Sequence, residues 1–183
     1  MGVAQTELKM RCLLCLVLIT ILFFVPKTYI YAESSYVLPY PSSMPGSFAY
    51  KFHLVYENFS KYWYFGEFGQ FDYNLKMADK YLVEAKTLFE YKQYLLGYKA
   101  LRKSDFYFPK ILLSLIKAEK NNKNITQKRI ILKKAALKHT ETLQRMITDT
   151  PNTFNWQPEK SLPTILNLKK ALNNSVILRK DSL

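Results

Sequence analysis

Apolar positions along this chain recur at spacings of three and four rather than two, a period that predicts helices. The clearest case is Phe71, Leu75, Ala78, Leu82, Ala85 and Phe89, which form one stripe, while Asp72, Lys76, Asp79, Lys80, Glu84 and Lys86 fall off it. Upstream, FAYKFHLVYENFSKYW reads as a first helix with Ser47 as its N-cap, and Gly66 and Gly69 mark its end and a turn. Downstream, Tyr94, Tyr98, Leu101, Phe108, Leu112 and Leu115 give a third helical stretch that Pro109 is expected to kink or split. A polar turn at Asn121 to Asn124 leads to a fourth helix, capped by Thr126 and carrying Leu132, Ala136, Leu143 and Met146 on one face. Pro151, Pro158 and Pro163 make 150–163 a linker, and Ile165, Leu166, Leu168 and Leu172 predict a short last helix. Period-two stretches of useful length are missing, so the predicted class is all-α: a small bundle of helical hairpins, four or five helices in all.

The N-terminus departs from this pattern. Cys12 to Val25 (CLLCLVLITILFFV) is apolar throughout except for Thr20, with Lys9 and Arg11 before it. A basic start, a short apolar run and a small residue at Ala32 read as a secretory signal cleaved after Ile30-Tyr31-Ala32. The rival reading is an uncleaved anchor, because Cys12 to Ala32 would make a helix roughly 31 Å long. Either way the expected location is extracytoplasmic, secreted or anchored to the cytoplasmic membrane. The chain therefore divides into a signal or anchor (1–32), a proline-rich arm (33–46), a helical domain (47–149) and a linker with a short helix (150–183). The arm, with Pro39, Pro41 and Pro45, is semi-rigid and extended. It is expected to space the bundle from the membrane and to set the angle of helix one.

Within the arm and the first two helices, Leu38, Pro39, Tyr40, Pro41, Pro45, Tyr50 and Lys51, then Leu75, Ala78, Asp79, Lys80, Leu82, Glu84 and Ala85, carry a resemblance. They resemble the bacterial domain-of-unknown-function 5667 family over Tyr36 to Lys120. Two departures stand out. Ser42-Ser43 replace a usual glycine, and Phe89-Glu-Tyr-Lys-Gln lacks the glycine that turns the hairpin. Helices two and three are therefore expected either as a hairpin or as one long helix. The resemblance implies an exported or membrane-anchored helical domain, and it supplies no catalytic residues to transfer.

Chemistry is sparse. Both cysteines, Cys12 and Cys15, lie in the N-terminal segment, leaving no thiolate, disulfide or Cys-ligated metal in the remainder. His53 and His139 are the only histidines; neither belongs to a carboxylate, serine or cysteine constellation near it in sequence, and His139 is expected as a core-boundary residue bonded to backbone. Asp72, Asp79 and Glu84 alternate with lysines and are expected as solvated helix pairs. No cofactor is expected, and the pattern points to a non-enzyme.

Charge is the stronger signal. Residues 33–183 carry +11, and 117–145 hold nine Lys/Arg against Glu119 and Glu141. Lys128, Arg129, Lys133, Lys134 and Lys138 on helix four are the candidate face for an anionic ligand, wall polymer or lipid headgroup, with nucleic acid not expected in an exported chain. Aromatic residues crowd the start of the domain: fourteen of the 28 lie between Tyr36 and Tyr73. Packing is their expected role, with a stacking platform or a membrane-interface belt as alternatives. The functional expectation is an envelope scaffold or protein-interaction module. A binding module for anionic envelope polymers or headgroups is the alternative.

Overall fold

The computed structural model describes residues 35–41, 45, 48–160 and 162–182. The signal or anchor segment and the Ser47 cap lie outside the described residues. Among the described residues five helices follow one another: α1 (Phe48–Ser60), α2 (Gly66–Glu90), α3 (Tyr94–Lys120), α4 (Thr126–Asp149) and α5 (Leu168–Lys180). A 3-10 turn, Lys61–Trp63, joins α1 to α2, and strands β1 (Thr153–Trp156) and β2 (Thr164–Asn167) sit between α4 and α5. The all-α class is as the periodicity predicts. Among the described residues no helix is long and apolar enough to cross a membrane.

The predicted α2 stripe is the spine of the core. Phe71, Leu75 and Ala78 pack with Phe108, Ile111 and Leu115 of α3 and with Leu132, Ala135 and Ala136 of α4. Farther along, Leu82, Ala85 and Phe89 pack with Leu101 of α3, Leu143 and Met146 of α4, and Leu168 and Leu172 of α5. A third cluster, Tyr73, Met77 and Tyr81, forms with Tyr64 and Tyr107 on another side of α2. That cluster is where α1 lies, so α2 is covered on more than one face.

Helices α2 and α3 form a hairpin rather than one long helix. The turn works without glycine: Lys92 takes the left-handed conformation (φ 58°), the Gln93 N–H bonds back to the Leu88 carbonyl (2.8 Å), and the Lys92 N–H bonds to that of Phe89 (2.9 Å). This is a Schellman ending. Asn122 repeats it at the end of α3 (φ 56°), with Lys123 N–H on the Ala118 carbonyl and Asn122 N–H on that of Glu119, both 3.0 Å. Helix α3 runs unbroken through Pro109. The proline removes only its own bond to the Asp105 carbonyl, and Phe108 and Ile111 on either side are fully buried in the core. Close approach of α2 and α3 depends on Gly97, where a Cβ would fall 2.6 Å from the Phe89 ring.

Three elements differ from the sequence expectation. Gly66 and Gly69 do not end helix one; Gly66 opens α2 in a positive-φ conformation (68°). The expected linker contains an antiparallel hairpin, with Phe154 opposite Leu166 and Asn155 opposite Ile165. Strands of four residues are too short for a period-two pattern to register. Finally, the described part of the arm is folded back: Tyr36 packs against the α2–α3–α4 core and Leu38 against the second core, and Pro39 and Pro41 line a groove with Val83 and Thr87. A proline-rich stretch is extended but need not be a spacer.

Candidate interaction surfaces

Helix α1 is amphipathic in the reverse sense. At 100° per residue, Phe48, Phe52, Val55, Tyr56 and Phe59 share an arc about 100° wide, Tyr50 and Glu57 lie opposite, and Ser60 lies on the flank between Tyr56 and Glu57. The polar arc faces the bundle. Glu57 is buried, salt-bridged to Lys80, and accepts a hydrogen bond from the Tyr81 hydroxyl (2.8 Å). Tyr50 donates to Glu84 Oε1 (2.9 Å), and Ser60 Oγ donates to the Glu57 carbonyl (2.9 Å). The apolar arc faces outward: its five residues, with Tyr62, Trp63 and Phe65 beyond the helix end, are between 54 and 80% exposed. Their rings contact one another, Phe48 edge-on to Phe52 at 5.2 Å and Tyr56 against Trp63 at 6.2 Å. Packing, the expected role for these aromatics, holds for Tyr36, Phe71 and Tyr73 and fails for the α1 set.

Cations flank this strip. A groove of about 530 Å³ between α1 and α3 is lined by Leu54, Glu57, Tyr81, Arg102, Phe106 and Tyr107. Glu57, already paired, is its one acidic residue, while Lys51, Lys61 and Arg102 are exposed. Lys110 lies 3.3 Å above the exposed Phe106 ring, and burial together with the charge of Lys61 pushes its ammonium pKa down.

The predicted basic face on α4 is partly neutralised. Lys128 Nζ reaches Asp72 Oδ1 on α2 (2.5 Å), Arg129 pairs with Glu119 at 3.4 Å, and Lys138 pairs with Glu141 at 3.1 Å. Lys133 and Lys134 are exposed. In the turn before α4, Lys123 Nζ and Asn121 Nδ2 both bind the half-buried Glu67 carboxylate (2.6 and 2.5 Å), lowering its pKa to about 2, with the Lys123 bond the largest cause. Lys123 and Lys128 thus tie α4 and the turn before it to α2, and Arg129 ties α4 to α3.

Buried polar groups form two sets in the core. Asp79 of α2 accepts from the arm's Tyr36 hydroxyl at Oδ2 (2.5 Å) and from His139 Nε2 of α4 at Oδ1 (2.7 Å). His139 is completely buried, and burial pushes its pKa down, opposed first by the hydrogen bond to Asp79. The neutral ring donates from Nε2 and leaves Nδ1 without a partner. Beside it, Arg179 of α5 is salt-bridged to Asp105 of α3 and donates to Ser104 Oγ (2.8 Å), while Ser175 Oγ donates to Asp105 Oδ2 (2.7 Å). The Phe108 ring lies between the sets, 4.9 Å from the His139 ring and 5.0 Å from the Arg179 guanidinium. Two expectations are corrected here: His139 bonds to a carboxylate rather than to backbone, and Asp79 and Glu84 are buried rather than solvated. Asp79 lies sixty residues from His139, beyond any local motif. Neither His139 nor Asp79 lines the surface grooves at Tyr94, Tyr107, Gln70 or Pro39. Among the described residues no group of three His, Cys, Asp or Glu is placed to hold a metal.

Comparison with family models, curated proteins and solved structures finds no match.

Proposed function

We propose that the chain is an exported, non-enzymatic helical module of the cell envelope that works by contact, as a scaffold or protein-interaction module. The supporting observation is the inversion of α1. Its carboxylate is tied into the bundle by Lys80 and Tyr81, and its aromatic side is turned out as a continuous strip. A contiguous exposed apolar patch of this kind is characteristic of an interaction site. The His139–Asp79 pair, by contrast, is sealed in the core and linked to structural partners, which suits a packing role. The basic start and apolar run of the N-terminal segment, and the resemblance to the unknown-function family, favour an envelope location.

A second reading, binding of anionic envelope polymers or headgroups through α4, rests on the exposed Lys133 and Lys134. Cosedimentation of the full chain with bacterial envelopes across a salt series separates the two. Salt-resistant retention, with cross-links to particular envelope proteins, is the outcome expected of a scaffold. Retention released by salt, and abolished by charge reversal at Lys133, Lys134 and Lys138 with helicity intact, would transfer the function to the basic face. No retention at any ionic strength would refute both.

A further inference from the structure

We infer that the outward face of α1 and the turn after it is a seat for the anionic lipid–water interface, so that the helix lies along the membrane surface with its aromatic strip among the headgroups. This rests on the envelope reading above for location and gives the α1 strip a lipid rather than a protein partner. Three independent features favour a bilayer over a protein groove or a second copy of the chain.

The first is composition. From Phe48 to Phe65 nine of eighteen residues are aromatic, including four tyrosines and Trp63, and Glu57 is the only acid. Tyr and Trp prefer the headgroup level because each ring has an apolar body and a polar tip. The second is charge placement. Lys51 follows about 40° past the strip's edge on the helix, Lys61, Arg102 and Lys110 gather about the adjoining groove with α3, and the single carboxylate is withdrawn into the bundle. An apolar strip edged by cations is the distribution of a helix lying in an anionic interface. The third is the chain itself. Ten residues separate Val25, the end of the apolar run, from Tyr36, which is docked on the bundle. That tether reaches at most roughly 40 Å. An apolar run inserted in a membrane would thus leave a bilayer within the reach of the chain that carries α1.

Trp63, two-thirds exposed at the end of the strip, is a native reporter once Trp156→Phe silences the other indole. The full chain carrying that change is mixed with vesicles of phosphatidylethanolamine and phosphatidylglycerol containing lipids brominated high on the acyl chain. Trp63 emission is expected to shift to shorter wavelength and to be quenched. Phe52→Asp combined with Phe59→Asp should abolish the quenching and leave far-UV circular dichroism unchanged, since both rings are exposed. Vesicles lacking phosphatidylglycerol should weaken the effect. Trp63 that stays open to acrylamide in vesicle-bound chain overturns the inference. So does Trp63 that is already shielded without lipid in a concentration-dependent way, which would assign the strip to a second copy. Carbonate extraction gives a separate answer: release of the chain refutes membrane retention through the N-terminal segment, while Trp63 quenching on added vesicles still decides the role of α1.

Discussion

Burial of His139 makes a quantitative prediction about acid stability. In the unfolded chain this imidazole titrates near 6.5, whereas in the folded chain burial depresses its pKa despite the Asp79 carboxylate at 2.7 Å. Below pH 6.5 the unfolded state therefore takes up a proton that the folded state refuses. The contribution of His139 to stability is complete above that pH and is lost as pH falls toward the folded-state pKa. While the folded ring stays neutral, the loss between pH 7 and pH 5.5 is about 1.3 kcal/mol, approaching 1.4 kcal/mol per further unit. His139→Gln keeps an amide donor for Asp79 and removes the titration. Urea unfolding of both chains at the two pH values, with equal m-values, isolates the effect: the wild type should lose up to about 1.3 kcal/mol more than the variant. Other groups cancel in the difference. Glu84, for example, has its pKa raised by burial and acts with the opposite sign, its stabilising effect present below 4.5 and lost as pH rises. Parallel pH profiles for the two chains would refute the buried, neutral imidazole.

Three further outcomes follow from packing. Asp105→Ala should cost about 3–5 kcal/mol by stranding the fully buried Arg179 guanidinium, and Arg179→Met in the same chain should recover much of that, both read from chemical denaturation. Gly97→Ala should destabilise by about 1–3 kcal/mol, because the new methyl meets the Phe89 ring at 2.6 Å and the hairpin must open to admit it; a Tm at or above wild type would contradict the close approach. Lys92→Gly should stabilise by about 0.5–1 kcal/mol by removing a left-handed lysine from the α2–α3 turn, seen as a rise in urea midpoint at constant m.

The parts of the fold legible in sequence are those where one periodic stripe meets one core. Phe71, Leu75, Ala78, Leu82, Ala85 and Phe89 are all buried, as are Leu132, Ala136, Leu143 and Met146. What stayed hidden depends on distance or on competition. The Asp79–His139 and Asp105–Arg179 pairs join residues sixty and seventy-four positions apart, so charge spacing along a helix showed only the solvated alternatives. The missing glycine after Phe89 left hairpin and long helix equally open, because a left-handed lysine is a tertiary solution to a local cost.

The inversion of α1 was hidden for a different reason. A hydrophobic period identifies the apolar side of a helix and does not say whether that side is turned toward the core. The orientation is decided by what the opposite side offers. Here α2 is already buried on its main stripe, and its remaining surface presents Lys80, Tyr81 and Glu84, groups best satisfied by the Glu57 and Tyr50 side of α1. Turning the helix over would bury Phe52 and Phe59 but expose that network and leave Glu84 without its hydrogen bond from Tyr50. A sequence signal for this did exist. The arc opposite the aromatic one holds a single carboxylate between tyrosine and serine rather than a solvated mixture of charges. The lysine on α1 itself lies instead beside the aromatic strip, as Lys51, and Lys61 follows just past the helix end. That placement is destabilising for a helix meant to be buried and favourable for one meant to rest on an anionic surface.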